Sequence, residues 1–278
     1  MLLLNKSVFL AFIFVMLPGI AMCQQQRFGD VPFKPFNGQV VIQASLNNQT
    51  PIELTRIGLR PALDNAWTRV KQQGEDQLRK KLGGMKLTGG VSLYDVKPGL
   101  ANRLTLEARA DPAGATIHLK APGNFVYVKS TTPDLDLGIF GSVGLSRHAD
   151  PKVRIDFDIE AEVAFQCNIA GTASVQVRSV TITNVHTRGA NLTGWLGHAF
   201  ADVLKFFGGP DLRSALQLII KKNVNDRVAK QVSQLGSQIH QKLPTLPFKP
   251  SYVLFGMAEQ HLTVHFSANN GSTASQIK

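Results

Sequence analysis

The chain has 278 residues, 44% hydrophobic and 18% charged, with a formal net charge of +11 and two cysteines. A chain of this length buries a sizeable core without covalent staples. Two cysteines exclude a disulfide scaffold and a cysteine-built metal cluster.

The first residues read as an export signal. Lys6 supplies the positive start, Val8 to Leu17 an apolar run, and Pro18-Gly19 a helix break ahead of Ala21-Met22-Cys23, a small-x-small cleavage site. The run is too short for a bilayer span, which needs about 20 apolar residues. Lipidation at Cys23 is the alternative, but Met22 is bulky for the position before such a cysteine. The expected mature chain starts at about Gln24 and is secreted or periplasmic. It keeps a charge of +10 once Lys6 is gone, and Cys167 as its lone thiol, which cannot form an internal disulfide. Exported basic chains meet anionic membranes, lipopolysaccharide or polyanionic glycans.

Gln24 to Asn48 is polar and interrupted by Pro and Gly, with one strand candidate, Gln39–Gln43. A first helix follows. Its stripe runs Leu59, Leu63, Trp67, Val70, Leu78, Leu82, with Gly74 filling one step. Pro61 suits the first turn and Gly83-Gly84 the stop. From Met85 to His186 the period changes to two. Leu104–Arg109, Thr116–Lys120, Phe125–Lys129, Val153–Glu160 and Ser174–Thr183 all alternate, the habit of antiparallel strands wet on one face. Asp111-Pro-Ala-Gly, Ala121-Pro-Gly-Asn and Asp150-Pro-Lys read as turns between them.

Trp195–Phe207 reads as a short helix, broken at Gly208-Gly209-Pro210. Asp211–Leu243 is then amphipathic throughout, with Leu212, Leu216, Ile219, Val224, Val228, Val232, Leu235, Ile239 and Leu243 on one side. Such a helix is roughly 50 Å long, against a common length of about 11–12 residues, and needs an equally long surface to cover its stripe. Tyr252–Phe255 and His261–Phe266 close the pattern as strands, before a polar tail. The expected fold class is α+β: an elongated, strongly curved antiparallel sheet wrapped around two long helices. The expected boundaries are a signal at 1–23, an extension at 24–48, one domain at 49–266 and a tail at 267–278.

Three stretches in this order resemble the lipid-binding domain of the bactericidal/permeability-increasing protein family, within the wider tubular lipid-binding group. They are Ile57-Gly-Leu59 with Ala66, Gln72-Gln-Gly74 and Leu78–Leu82; Leu212–Leu243 ending in Leu243-Pro-Thr-Leu-Pro-Phe248; and the strand-rich middle with Phe165-Gln-Cys167. The resemblance implies one tubular unit enclosing an apolar groove for acyl chains. It also implies a disulfide at the strand of Cys167 in the bactericidal branch, which this chain cannot form for want of a partner.

The apolar stripes have a plain reading as core. Their excess, at Leu218-Ile219-Ile220 and at large residues on the facing elements, suggests a slot. The lining expected for an acyl chain is Leu63, Trp67, Val70, Phe157, Phe165, Leu216, Ile219, Ile220 and Val224. Each buried methylene contributes about 0.8 kcal/mol, and carriage needs no catalytic residue.

Arg79, Lys80, Lys81 and Lys86 are the candidates for headgroup contact, although cations at a helix C-terminus also suit its dipole. Lys221, Lys222, Arg227 and Lys230 read as the solvated face of the long helix. Expected partners are therefore acyl chains of phospholipid, fatty acid or lipopolysaccharide, and an anionic membrane surface. No cofactor, metal or nucleic acid is expected. His261 and His265 lie too far apart on one strand for an easy shared ion, and neither H-E-x-x-H nor G-x-S-x-G occurs. Gly138–Gly144 lacks the Lys-Ser/Thr of a phosphate loop, and Asp156, Asp158 and Glu160 beside Arg154 look like wet-face patterning. Asn48, Asn191 and Asn270 open glycosylation sequons. A non-enzymatic lipid binder is the leading expectation. The alternatives are a basic docking protein with a closed core and no cargo, and a hydrolase using His186 or His198.

Overall fold

The computed structural model describes residues 31–46, 49–87, 91–131, 135–136, 142–143, 152–189 and 195–268. The export signal, Asp150-Pro151 and the three sequon asparagines fall outside them, as does most of Gly138–Gly144. Contacts separate Met1–Val31 from the unit that begins at Pro32, which holds all the described helices and strands.

The helices form where the 3.6-residue stripes lie. Helix α1 spans Arg60–Leu82 with Pro61 in its first turn, and the Gly83 N–H caps the Arg79 carbonyl. Helix α2 spans Trp195–Gly208 and α3 spans Pro210–Lys242, 33 residues, followed by a 3-10 turn at Leu243–Thr245. Gly208-Gly209-Pro210 separates α2 from α3 because Pro210, lacking an N–H, suits only a first turn.

The strands in chain order are β1 Lys34–Pro35, β2 Gln39–Ser45, β3 Ile52–Gly58, β4 Leu93–Gly99, β5 Thr105–Asp111 and β6 Gly114–Ser130. Then come β7 Leu135–Asp136, β8 Ser142–Val143, β9 Lys152–Cys167, β10 Ala173–Gly189, β11 Tyr252–Ala258 and β12 His261–Ser267. One sheet runs β1-β5-β6-β9-β10, with β4 pairing the far half of β6 on the same edge as β5. A second runs β11-β12-β2-β3, and β7 pairs with β8. On β9 the alternation holds as expected: Val153, Ile155, Phe157, Ile159, Ala161, Val163 and Phe165 are buried.

The fold is α+β, as expected, but three expectations need correction. The single wrapped sheet is two larger sheets, and neither closes on itself. The pairing is not wholly antiparallel, because β12 runs parallel to β2, Val264 opposite Ile42. Ala121-Pro-Gly-Asn is no turn but a bulge inside the 17-residue β6. Pro122 cannot donate to the ladder and Gly123 takes φ +75°, which suits a bulge as well as a turn. Asn124, fully buried, secures it. Its amide donates to the Ala121 and Phe157 carbonyls (2.6 and 3.2 Å), and its Oδ1 accepts from the Ala101 N–H (2.9 Å).

Strands of 16 and 17 residues (β9 and β10) run roughly 55 Å, a match for α3. That helix lies on β10 and against α1, and α1 lies on β4. The α1–α3 pair is antiparallel: Gly74 sits by Leu216 and Gln73 by Asn223, whereas the far end of α3 reaches β3, where Thr55 Oγ1 donates to Gln238 Oε1 (2.8 Å) and Lys242 donates to the Leu54 carbonyl.

Candidate functional site

Where α1 and α3 face the sheet, Leu63, Trp67, Val70, Ile220 and Val224 converge with Ala66 of α1 and with Leu104, Leu119, Ile159 and Ala161. Trp67 Nε1–H donates to the Ala101 carbonyl (2.8 Å), which fixes the indole in the seam and satisfies its polar atom. The space left among these ten residues is about 10 Å³, the size of one water. The expected slot is filled by the protein's own side chains.

The other expected lining residues lie elsewhere. Phe157 packs on Phe207 of α2, ring centres 5.0 Å apart, and Phe165 on Phe255 of β11 at 6.3 Å. Leu216 is fully buried beside Gly74. Ile219 is only partly buried and Leu218 is 69% exposed, so of the broad part of the stripe only Ile220 is fully buried. Leu104, Leu119 and Ile159 were legible in the strand alternation, and Ala161 lies one residue past the strand expected at Val153–Glu160; nothing in the sequence says which strand position faces which helical turn.

A second apolar cavity is open. At the end of α3 a groove of about 660 Å³ is lined by Ile169 and Ala170 from the β9–β10 turn, by His240, and by Leu243, Pro244, Leu246, Pro247, Phe248, Lys249 and Pro250. Its volume is in the range of about 300–1,000 Å³ common for small-molecule sites. Ile169 is 45% exposed at its mouth. The segment Leu243–Phe248 carries the signal, a run of apolar residues and prolines where a helix stop needs only one breaker.

The basic candidates gather at the end of α1. Arg79 pairs with Asp76 (2.7 Å), and Lys80, Lys81 and Lys86 are exposed. They line neither the seam nor the groove beyond α3. Asp156 is not on an open wet face: it is 7% exposed, between Arg154 (2.6 Å) and Arg188 (2.9 Å). Arg154 in turn lies over the Phe125 and Tyr127 rings. Among the described residues no group of three His, Cys, Asp or Glu is placed to hold a metal ion. His186 is exposed, and the His198 side chain lies outside the described residues. Burial pushes the free Cys167 thiol up to about 12, leaving it a small hydrophobe rather than a nucleophile. No described helix is long and apolar enough to cross a membrane.

No family model matches the chain, and no curated protein matches it. Among solved structures it is similar to the crystal structure of lipopolysaccharide binding protein, with a TM-score of 0.35 and 14% identity over 63% of this chain. It is also similar to the solution structure of latherin, with a TM-score of 0.32 and 13% identity, over 68% of this chain and 88% of that one. The chain spans 40% of the lipopolysaccharide binding protein.

Proposed function

We propose that this is an exported, non-enzymatic lipid-binding protein that holds acyl chains of phospholipid, fatty acid or lipopolysaccharide on apolar surface. The observation that supports it is the open groove at the end of α3, where Ile169, Leu243, Leu246 and Phe248 leave about 660 Å³ of apolar space. Longer chains would part α1 and α3 from the sheet along the seam of Leu63, Trp67, Val70, Ile220 and Val224, with Phe157, Phe165, Leu216 and Ile219 beyond it. In that open form 49–266 is a tube with α1 and α3 as its two long helices. Arg79, Lys80, Lys81 and Lys86 face the anionic headgroups. The chemistry asks only for burial of methylenes, each contributing about 0.8 kcal/mol.

Uptake of a fluorescent fatty acid by the purified protein tests this. The wild type takes up the probe, and Leu246→Asp with Phe248→Asp weakens uptake by about tenfold or more, since each charge takes a place where apolar contact was made. A protein that carries no amphiphile in native mass spectrometry and takes up no probe sinks the proposal.

The filled seam favours a second reading, in which the core stays closed and the basic surface docks on an anionic envelope or partner without cargo. Its mark is vesicle binding that falls steeply with salt while the interior takes up nothing.

A further inference from the structure

The seam between α1 and α3 has a solvent side that the lipid reading does not use. There α1 presents one row at four-residue spacing, Asn65, Arg69 and Gln73, and α3 presents Lys222, Asn223, Asp226, Arg227, Lys230 and Gln231. Residues four apart share a helix face, so the two rows make the walls of a groove of about 560 Å³. Its floor is fixed by Asn223, 6% exposed, whose amide donates to Gln73 Oε1 (3.0 Å) and to the Ile219 carbonyl (2.8 Å). The antiparallel register set by that bond brings Arg69 opposite Asp226 and Arg227, one turn along, and Asn65 opposite Lys230 and Gln231.

One feature of these walls asks for a ligand. Four cations line the groove against one carboxylate, Asp226, and among the described residues none of the four is ion-paired. Elsewhere on α1, acids three or four residues away pair Arg60 and Arg79. The groove's cations therefore repel one another across a cleft, a loss that a multivalent anion reverses. Guanidinium forks match phosphate oxygens two at a time, and the Asp226 carboxylate accepts from hydroxyls. Asn65 to Gln73 covers roughly 12 Å along α1, more than one phosphate fills.

We propose that this groove binds a phosphorylated polyol, carrying two or more phosphates beside free hydroxyls, either in solution or as a lipid headgroup. The site is built on the outer face of the helix pair and does not depend on whether the interior takes up lipid.

The test is calorimetric titration of the full chain with inositol trisphosphate, with unphosphorylated inositol as the blank, and in parallel sedimentation with phosphatidylcholine vesicles with and without phosphatidylinositol bisphosphate. Binding of the trisphosphate assigns a soluble source; binding only of the phosphoinositide vesicles assigns a headgroup. In either case R69Q/R227Q weakens binding by about tenfold or more, R69K/R227K by less, because charge survives and the fork is lost. Asp226→Asn weakens it but does not weaken binding of inorganic phosphate, since only the polyol donates hydroxyls to that carboxylate. The double variant K34Q/R178Q removes the same charge from exposed positions on β1 and β10 and leaves binding nearly unchanged. Equal loss in the two glutamine doubles, at unchanged helix content and denaturation midpoint, overturns the proposal, as does absence of binding in both arms. Fatty-acid uptake is unaffected by R69Q/R227Q, so failure here and failure of the lipid reading are told apart.

Discussion

His265 shows how little of a side chain's role is set by its type. On β12 it alternates with buried Leu262, Val264 and Phe266, and its Nε2 shares a hydrogen bond with the Ser45 hydroxyl of β2 (2.7 Å). Burial holds its imidazole below the usual value of 6.5. Because the folded pKa is depressed, an unfolded chain takes a proton near pH 6.5 that the folded chain refuses. Stability is therefore full above that value, falls as pH drops from about 6.5 toward the folded pKa, and then levels for this group. Urea midpoints measured across that window should decline in the wild type and decline less in His265→Gln. A wild-type midpoint that is flat over the window would show that His265 is not held neutral. Glu53, held low by its hydrogen bond to Arg56, acts only further into acid and, being exposed, acts weakly. From sequence His265 was legible as a strand residue; its partner Ser45 lies 220 residues away and no local pattern names it.

Among the elements, α3 and the β9–β10 turn meet through two glycines. A Cβ on Gly236 would stand 3.2 Å from the Ala173 nitrogen and the Gly171 carbonyl, and one on Gly171, at φ +84°, would stand 2.9 Å from Ile239 Cγ2. A helical glycine costs about 1 kcal/mol relative to alanine, so this one is kept for closeness. Gly236→Val should lose about 1–3 kcal/mol by overpacking, read as a lower denaturant midpoint at unchanged slope; an unchanged midpoint would mean the turn yields freely. The helix stripes, the stops at Gly83 and Pro210, and the hairpin at Asp111–Gly114 were legible because each rests on local chemistry. The Ala121–Asn124 bulge was not, since Pro-Gly serves a turn and a bulge alike. The α1–α3 groove was not either, because its two walls are about 150 residues apart and each alone reads as a wet helix face.

At the scale of the molecule, the filled seam makes packing and cargo competitors for the same space. Ile220→Ala would remove about 2–5 kcal/mol by opening a void among Leu63, Trp67 and Val224. A fatty acid that enters this region would refill the void. Added ligand should then raise the melting temperature of the variant more than that of the wild type, by the mass-action term for binding to the folded state. Equal shifts in both would place the ligand away from the seam, at the groove beyond α3.

The parallel pairing of β2 with β12 has a bearing on how the chain folds. Val40 to Ser45 can pair early with β3 on one side but cannot find their neighbour on the other until Leu262 to Ser267 have been made, so half of that sheet forms late. Contacts so distant in the chain are slow to form, and in the interval the edge of β2, with Val40, Ile42 and Ala44, is bare. A truncation just before His261 would leave that strand searching for another partner, and aggregation would be its quickest answer.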